Sequence, residues 1–255
     1  MENPSGIFLT PNQAARLLNI SLSTLKKFIY SGRIRTLKTP GGHHRIRKSD
    51  LFRMLSAGSA LVPSGALKDK TLLGISKGFV YLLEKRQKFC QGHADSVARL
   101  SLKIAQRLNF SSAQMLRLQL ASLLHDVGKL AINENILNKK DGLSDKEYAI
   151  IKTHPLLGEE VANSIKQLRG LSPIIRQHHE RCDGQGYPDG LKRDEICSEA
   201  RIIALSEAFQ CMTSKDSYRK PLSRKEAIEE IKTNAVGQFD PKIVEIFLKI
   251  YKSKR

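Results

Sequence analysis

Hydrophobic residues recur at helical spacing along most of this 255-residue chain. In TLLGISKGFVYLLEK, Leu72, Ile75, Phe79, Leu82 and Leu83 fall on one face, as an amphipathic helix requires. HADSVARLSLKIAQRLN and SSAQMLRLQLASLLHDVG continue the pattern, the second with serine at its start. Ser144 to Glu147 and Ser223 to Glu226 each fit a capping box, in which serine and glutamate satisfy each other's backbone N–H groups. Asp240-Pro241 opens a last helix. Strand patterns are nearly absent from Thr71 onward, so this part is predicted to be all-α.

The first quarter is patterned differently. Thr10 caps a helix with Pro11 at its first position, and Ala14, Ala15, Leu17 and Leu18 form the apolar face. Asn19 to Leu22 is a turn, and Ser23 caps a second helix. There Leu25, Phe28 and Ile29 point inward, while Lys26, Lys27 and Tyr30 face out. Two short β-like runs, IRTLK and HRIRK, follow around the turn TPGG. Ser49 caps a last short helix. ALVPSGALKDK, residues 60–70, mixes Pro, Gly, Ser and charge and reads as a linker. The organisation expected is therefore residues 1–59, a small winged helix-turn-helix domain, a linker over 60–70, and a helical domain over 71–255. The fold class is mainly α.

Charge sharpens this picture. The chain carries a net +18. In residues 1–59, ten basic side chains face only Glu2 and Asp50, a net of +8. Such an excess favours polyanionic partners. MENPSGIFLT has no signal-peptide pattern, and no stretch approaches the roughly 18 apolar residues of a membrane helix. Cys90, Cys182, Cys197 and Cys211 show no CxxC spacing and read as reduced thiols. A cytoplasmic protein without membrane association is expected.

The segments LTPNQAARLLNIS and SGRIRTLKTPGGHHRI resemble the excisionase-type and MerR-like winged helix-turn-helix domains over about fifty residues. The resemblance implies that Thr24, Lys26, Lys27 and Tyr30 meet double-stranded DNA from the second helix, and His43, His44, Arg45 and Arg47 from the wing. The alternative is a solvated basic face on a protein-interaction domain. One winged helix makes few phosphate contacts, so a homodimer on paired half-sites is expected.

In the helical region, histidines gather near helix ends. His93 begins one helix, His125-Asp126 ends the next with Lys129 a turn beyond, and His154 ends a third before Pro155. His178-His179 end a fourth, and Glu207 lies inside the otherwise apolar ARIIALSEAFQCM. Any one histidine there has an ordinary explanation in the helix dipole. Five of the chain's seven, with two carboxylates among them, suggest a metal site. Mixed imidazole and carboxylate suits Fe, Mn or Zn more than Mg or Ca. Adjacent helical residues point about 100° apart, so His178 and His179 would serve different metals, or one metal and the substrate. Asp126 is placed to bridge two ions, which at about 3.5–4 Å apart clamp a phosphoryl group and lower the pKa of a bridging water. The glycines of DGQGYPDG would let backbone approach substrate closely.

LLHDVGKL, IKTHPLLGEE and QHHERCDGQGYPDG, with ARIIALSEAFQCMTSKDSYR after them, resemble the HD-GYP family of HD phosphohydrolases over roughly residues 91–248. The resemblance implies an all-α domain that binds two or three metals, often iron or manganese, and hydrolyses cyclic dinucleotides, chiefly cyclic di-GMP. It assigns His125, Asp126, His154, His178, His179 and Glu207 to the metal shell, with His93 in or beside it. Asp126 and Lys129 would be catalytic, and Gly186, Tyr187, Pro188 and Arg219 would contact substrate. Phe89 stands where trinuclear members carry glutamate, which favours two divalent transition metals. Glu207 replaces the usual aspartate, Gln210 a second one, and Asp216 replaces a cation in SKDSYR. These departures predict an intact metal shell with slow or absent cyclic di-GMP hydrolysis. The rival expectation is a transcription factor whose helical domain senses a nucleotide without turning it over.

Overall fold

Thr10 and Gln13 set the start of the N-terminal unit. The Gln13 N–H donates to Thr10 Oγ1 at 3.3 Å, and the Thr10 N–H donates to Gln13 Oε1 at 2.9 Å. Pro11, with no N–H to lose, then opens α1 (Pro11–Leu17) after strand β1 (Phe8–Leu9). Helix α2 (Leu22–Tyr30) begins two residues earlier than a Ser23 cap implies, and Leu22 packs on the core. Ser23 therefore lies inside the first turn and is not the cap. Strands β2 (Leu37–Lys38) and β3 (His44–Arg47) form the wing. The central strand β3 pairs antiparallel with both neighbours, Leu9 opposite Ile46 and Leu37 opposite Arg45. Beneath the sheet, Ala14, Ala15, Leu25, Ile29, Ile34 and Ile46 make a small core. Leu17, expected on that face, closes α1 beyond it and is 45% exposed.

The computed structural model describes residues 8–17, 22–30, 34–39, 41–47, 69–87, 91–139, 141–214 and 220–252. The expected helix capped by Ser49 and most of the expected linker lie outside the described residues. The chain divides into two units, residues 1–59 and 60–255.

In the second unit, α3 (Asp69–Arg86) opens two residues before the expected linker ends. Its buried stripe runs through Leu72, Ser76, Val80 and Leu83, while Ile75 and Leu82 are 45% and 55% exposed. The stripe is rotated from the expected one because Ser76 can be buried without penalty. Its hydroxyl donates to the Leu72 carbonyl at 2.9 Å, so it behaves as a small apolar residue. Next come α4 (His93–Arg107), α5 (Ser112–Leu124), a 3₁₀ turn over Val127–Ala131 and the short α6 (Glu134–Leu137). They are followed by α7 (Asp145–Ile151), α8 (His154–Ser164), α9 (Ser172–Gln177), α10 (Ser198–Thr213), α11 (Arg224–Thr233) and α12 (Pro241–Lys252).

Capping boxes close at Ser111–Gln114, Ser144–Glu147 and Ser223–Glu226. The core is built where α4 packs on α5 and α10, and holds Ile104, Leu118, Ile175, Ile202, Ile203 and Phe247. No helix among the described residues is long and apolar enough to cross a membrane.

Candidate functional site

Helix ends position the histidines. The last four carbonyls of a helix have no intrahelical partner, and three imidazoles take such carbonyls three residues back. His125 Nδ1 donates to Ser122 O at 2.8 Å from the end of α5, and His178 Nδ1 to Ile175 O at 2.6 Å from the end of α9. His154 Nδ1 donates to Ile151 O, the last residue of α7, at 2.7 Å. His154 was expected to end a helix; it is instead the first residue of α8, since Pro155 suits a first turn and cannot continue α7. A carbonyl only accepts, so each Nδ1 carries the proton and each Nε2 presents a lone pair.

Those lone pairs converge. Nε2 of His154 lies 3.1 Å from Nε2 of His178 and 3.3 Å from Asp126 Oδ1. His125 Nε2 is 3.5 Å from Asp126 Oδ2 and 4.0 Å from Glu207 Oε1. Two four-residue sets result, Asp126 with His154, His178 and His179, and Asp126 with His93, His125 and Glu207. In each, the donor atoms lie within 4.8 Å of one another. Asp126 belongs to both. His125 Nε2 and Asp126 Oδ1 are buried without a hydrogen-bond partner. Acceptors facing acceptors at such distances are unfavourable unless a cation sits between them, so the residues fit two metal ions.

Burial, the largest influence, lowers the His93 and His154 imidazoles to about 4 and holds His178 and His179 well below their ordinary value. These four are thus neutral near pH 7, the form that ligates. At Asp126, burial acts to raise the carboxyl, but Lys129, whose Nζ is 2.7 Å from Oδ2, leads the opposing influences and holds it well below the usual carboxylate range. Glu207 is raised by burial to about 7 despite His125.

Neutral burial ties the stability of the metal-free chain to pH. Unfolded, these imidazoles take protons near pH 6.5; folded, His93 and His154 do so only near pH 4. The unfolded chain binds more protons between those values, so stability is full above about pH 6.5 and falls as pH drops toward 4. At about pH 5 the expected loss is about 2 kcal/mol for each of the two. Urea unfolding of metal-free protein at about pH 7.5 and pH 5 reads this directly, and equal midpoints contradict it.

After His179 the chain enters the glycine-rich loop, which folds back on its own backbone. A Cβ on Gly186 would lie 2.5 Å from Glu180 Cα and 2.6 Å from His179 O. This glycine therefore lets the loop close on the backbone that follows the histidine pair, and it also lines the cleft. Tyr187 stacks on His179, ring centroids 4.8 Å apart at 25°, and burial followed by Glu207 raises its phenol, which stays neutral. Pro188 follows across a cis peptide bond.

Glu180, which sequence reading passed over, holds the loop's far end by accepting from Asp189 N at 2.7 Å and Leu191 N at 2.9 Å. Arg176 grips Asp189 through both carboxylate oxygens, at 2.7 and 3.0 Å. A cleft of about 480 Å³ opens over His178, His179, Glu207, Gly186 and Tyr187. Two further lining residues were also missed, Tyr148 and Lys152 of one helix face. Their i, i+4 spacing was the available signal. Arg219, Lys215 and Asp216 lie outside the described residues.

In the N-terminal unit, Thr24, Lys26, Lys27 and Tyr30 sit on α2; Lys26, Lys27 and Tyr30 are exposed. His43 and Arg47 are exposed on the wing, and Arg47 lies over the Phe8 ring. His44 is half-buried, its Nδ1 2.7 Å from Thr36 Oγ1 and its ring edge-on to Tyr30 at 6.1 Å, which joins wing to helix. Arg45 is half-buried beside it. Arg45→Ala is expected to weaken binding of duplexes of any sequence and to make the log–log salt dependence shallower by about one unit, as loss of one phosphate contact should. Titrations at several salt concentrations measure this; an unchanged slope removes Arg45 from the interface.

The family model described as HD domain matches residues 79–243, and one described as helix-turn-helix domain matches residues 8–59. A cyclic di-GMP phosphodiesterase of Thermotoga maritima is 35% identical over 67% of this chain and 47% of its own length. A cyclic di-GMP phosphodiesterase of Pseudomonas aeruginosa is 33% identical over 79% of this chain and 46% of its own. A 3′3′-cGAMP-specific phosphodiesterase of Vibrio cholerae is 34% identical over 68% and 34%. The chain thus spans about half or less of the length of these relatives. Among solved structures, an HDG"Y"P protein from Bdellovibrio bacteriovorus superposes with a TM-score of 0.54 at 20% identity, over 90% of this chain and 78% of that one. At that identity the likeness shows the fold alone.

Proposed function

The chain belongs to the HD-domain family, and from that premise we propose that its second unit is a metal-dependent phosphodiesterase acting on cyclic dinucleotides, joined to a helix-turn-helix that binds double-stranded DNA. The observation that carries the reading is the approach of His154 Nε2 and His178 Nε2 to 3.1 Å with both protons held on the far side of the rings. Two divalent transition metals, iron or manganese, are the proposed occupants, held by Asp126 in common, by His154, His178 and His179 on one side, and by His93, His125 and Glu207 on the other. Such ions supply Lewis acidity to a phosphodiester and to an attacking water.

The chain's own residues do the rest. Lys129 offers its ammonium, set by Asp126, to a phosphate oxygen. Asp126, kept ionised, fixes both halves of the centre in register. Gly186 and Tyr187 wall the cleft and exclude water from one side of the bound ligand, and Pro188 follows them in the loop. The relatives named for cyclic di-GMP and for 3′3′-cGAMP support the substrate class. Net positive charge in residues 1–59 supports the nucleic-acid partner, and a homodimer in the cytoplasm is the proposed working form.

The test is hydrolysis by the full chain, reconstituted with Mn(II) or anaerobically with Fe(II), of cyclic di-GMP, 3′3′-cGAMP and cyclic di-AMP. Metal-dependent appearance of linear dinucleotide or mononucleotide from at least one of the three is expected. No product from any of them at full metal loading defeats the reading.

A further inference from the structure

Among the described residues lining the cleft, Lys152 and Arg181 are the two strong cations. Arg181 is fully engaged: it pairs with both oxygens of Asp183 at 2.7 and 3.1 Å and donates to Gln238 Oε1 at 3.0 Å. Lys152 is held differently. Its Nζ lies 4.6 Å from the centre of the Tyr148 ring and 5.6 Å from that of Tyr187, and no carboxylate among the described residues pairs with it. Lys152 is exposed, and the aromatic faces orient its ammonium while its charge stays available to an anion. Tyr187 in turn stacks on His179. The Tyr187 ring is therefore a common neighbour of the ammonium and of that imidazole. It lies on the wall of the same cleft as His178, His179 and Glu207.

We propose that Lys152 binds the second, non-reacting phosphate of the cyclic dinucleotide, with Tyr148 and Tyr187 fixing its ammonium. The inference rests on the cyclic dinucleotide reading above. It makes the Tyr187 ring the shared neighbour of two anion positions, one beside His179 and one beside Lys152. A ligand with two phosphates gains from both positions, and a mononucleotide gains from one.

Calorimetric titration of the manganese-loaded full chain tests it, with the hydrolysis-resistant phosphorothioate analogue of cyclic di-GMP and with 5′-GMP as probes. Lys152→Gln is expected to weaken the dinucleotide about tenfold, the low end for a charge-assisted hydrogen bond, and 5′-GMP less than about twofold. Lys152→Arg keeps a cation over the same rings and should stay within about threefold of wild type for both. Equal weakening of both ligands would move Lys152 to the base or to the metal-bound phosphate and overturn the proposal. So would a Lys152→Gln variant that binds the dinucleotide as tightly as wild type, with the cyclic dinucleotide reading left standing. A loaded wild type that binds no dinucleotide overturns that reading and the inference with it.

Discussion

Asp126→Ala is expected to empty the metal centre and to lower phosphodiester turnover by about a thousandfold or more, equivalent to about 4 kcal/mol of transition-state stabilisation. Asp126 is the one residue common to both four-residue sets. Its Oδ1 faces His154 at 3.3 Å and its Oδ2 faces His125 at 3.5 Å, so one carboxylate can share a cation with each of two imidazoles. It also takes the charge of Lys129 at 2.7 Å. Alanine leaves that ammonium next to a group of neutral imidazoles and makes the pocket repel cations. Asp126→Asn keeps the shape and removes only the charge, so it separates electrostatics from packing. Both variants should hold well under one metal per chain by elemental analysis while retaining helical circular dichroism. Normal metal content in Asp126→Ala would remove this residue from the centre.

Gly128→Ala is expected to be nearly as damaging, without touching a ligand. The 3₁₀ turn carrying Gly128 lies directly on the start of α8. A methyl group there would overlap the His154 carbonyl oxygen and lie 2.5 Å from Gly158 N. Both obstacles are backbone, so no rotamer change relieves the clash, and the turn must move away from α8. Overpacking of this rigid kind costs about 3 kcal/mol. The displacement separates Asp126 from His154, so metal affinity should fall with stability. The expected result is a lower urea midpoint together with metal loss at concentrations that saturate wild type. A Gly128→Ala variant matching wild type in both would show the contact to be loose.

These two residues mark what the sequence discloses and what it conceals. The polar residues of the centre stand out because imidazoles at helix ends are few and the chain holds seven histidines, five of them there. The way His125, His154 and His178 take carbonyls three residues back, so that Nε2 stays unprotonated, needs coordinates. Gly128 and Gly158 carry no signal of their own, because a glycine's meaning lies in the backbone it lets approach. For Gly186 that backbone is residues 179–181, which no sequence pattern announces.

Element boundaries failed for local reasons. Phe8–Leu9 is too short to show alternation, yet pairs with β3. Ser76 reads as polar until its hydroxyl is seen bonded to Leu72 O, and that single residue turns the buried face of α3 away from Ile75 and Leu82. Glu180 escaped notice because its partners lie nine and eleven residues along the chain, beyond any helical or hairpin spacing.

Turnover followed against metal occupancy tests the central claim most directly. Full-length protein stripped of metal and titrated anaerobically with Fe(II) or Mn(II) would be assayed on 3′3′-cGAMP and cyclic di-GMP at each step. Cleavage should be absent in the stripped protein and should rise to a plateau at about two metals per chain, one for each ligand set. Cleavage undiminished in the stripped protein, or absent at the plateau of metal binding, would contradict the account.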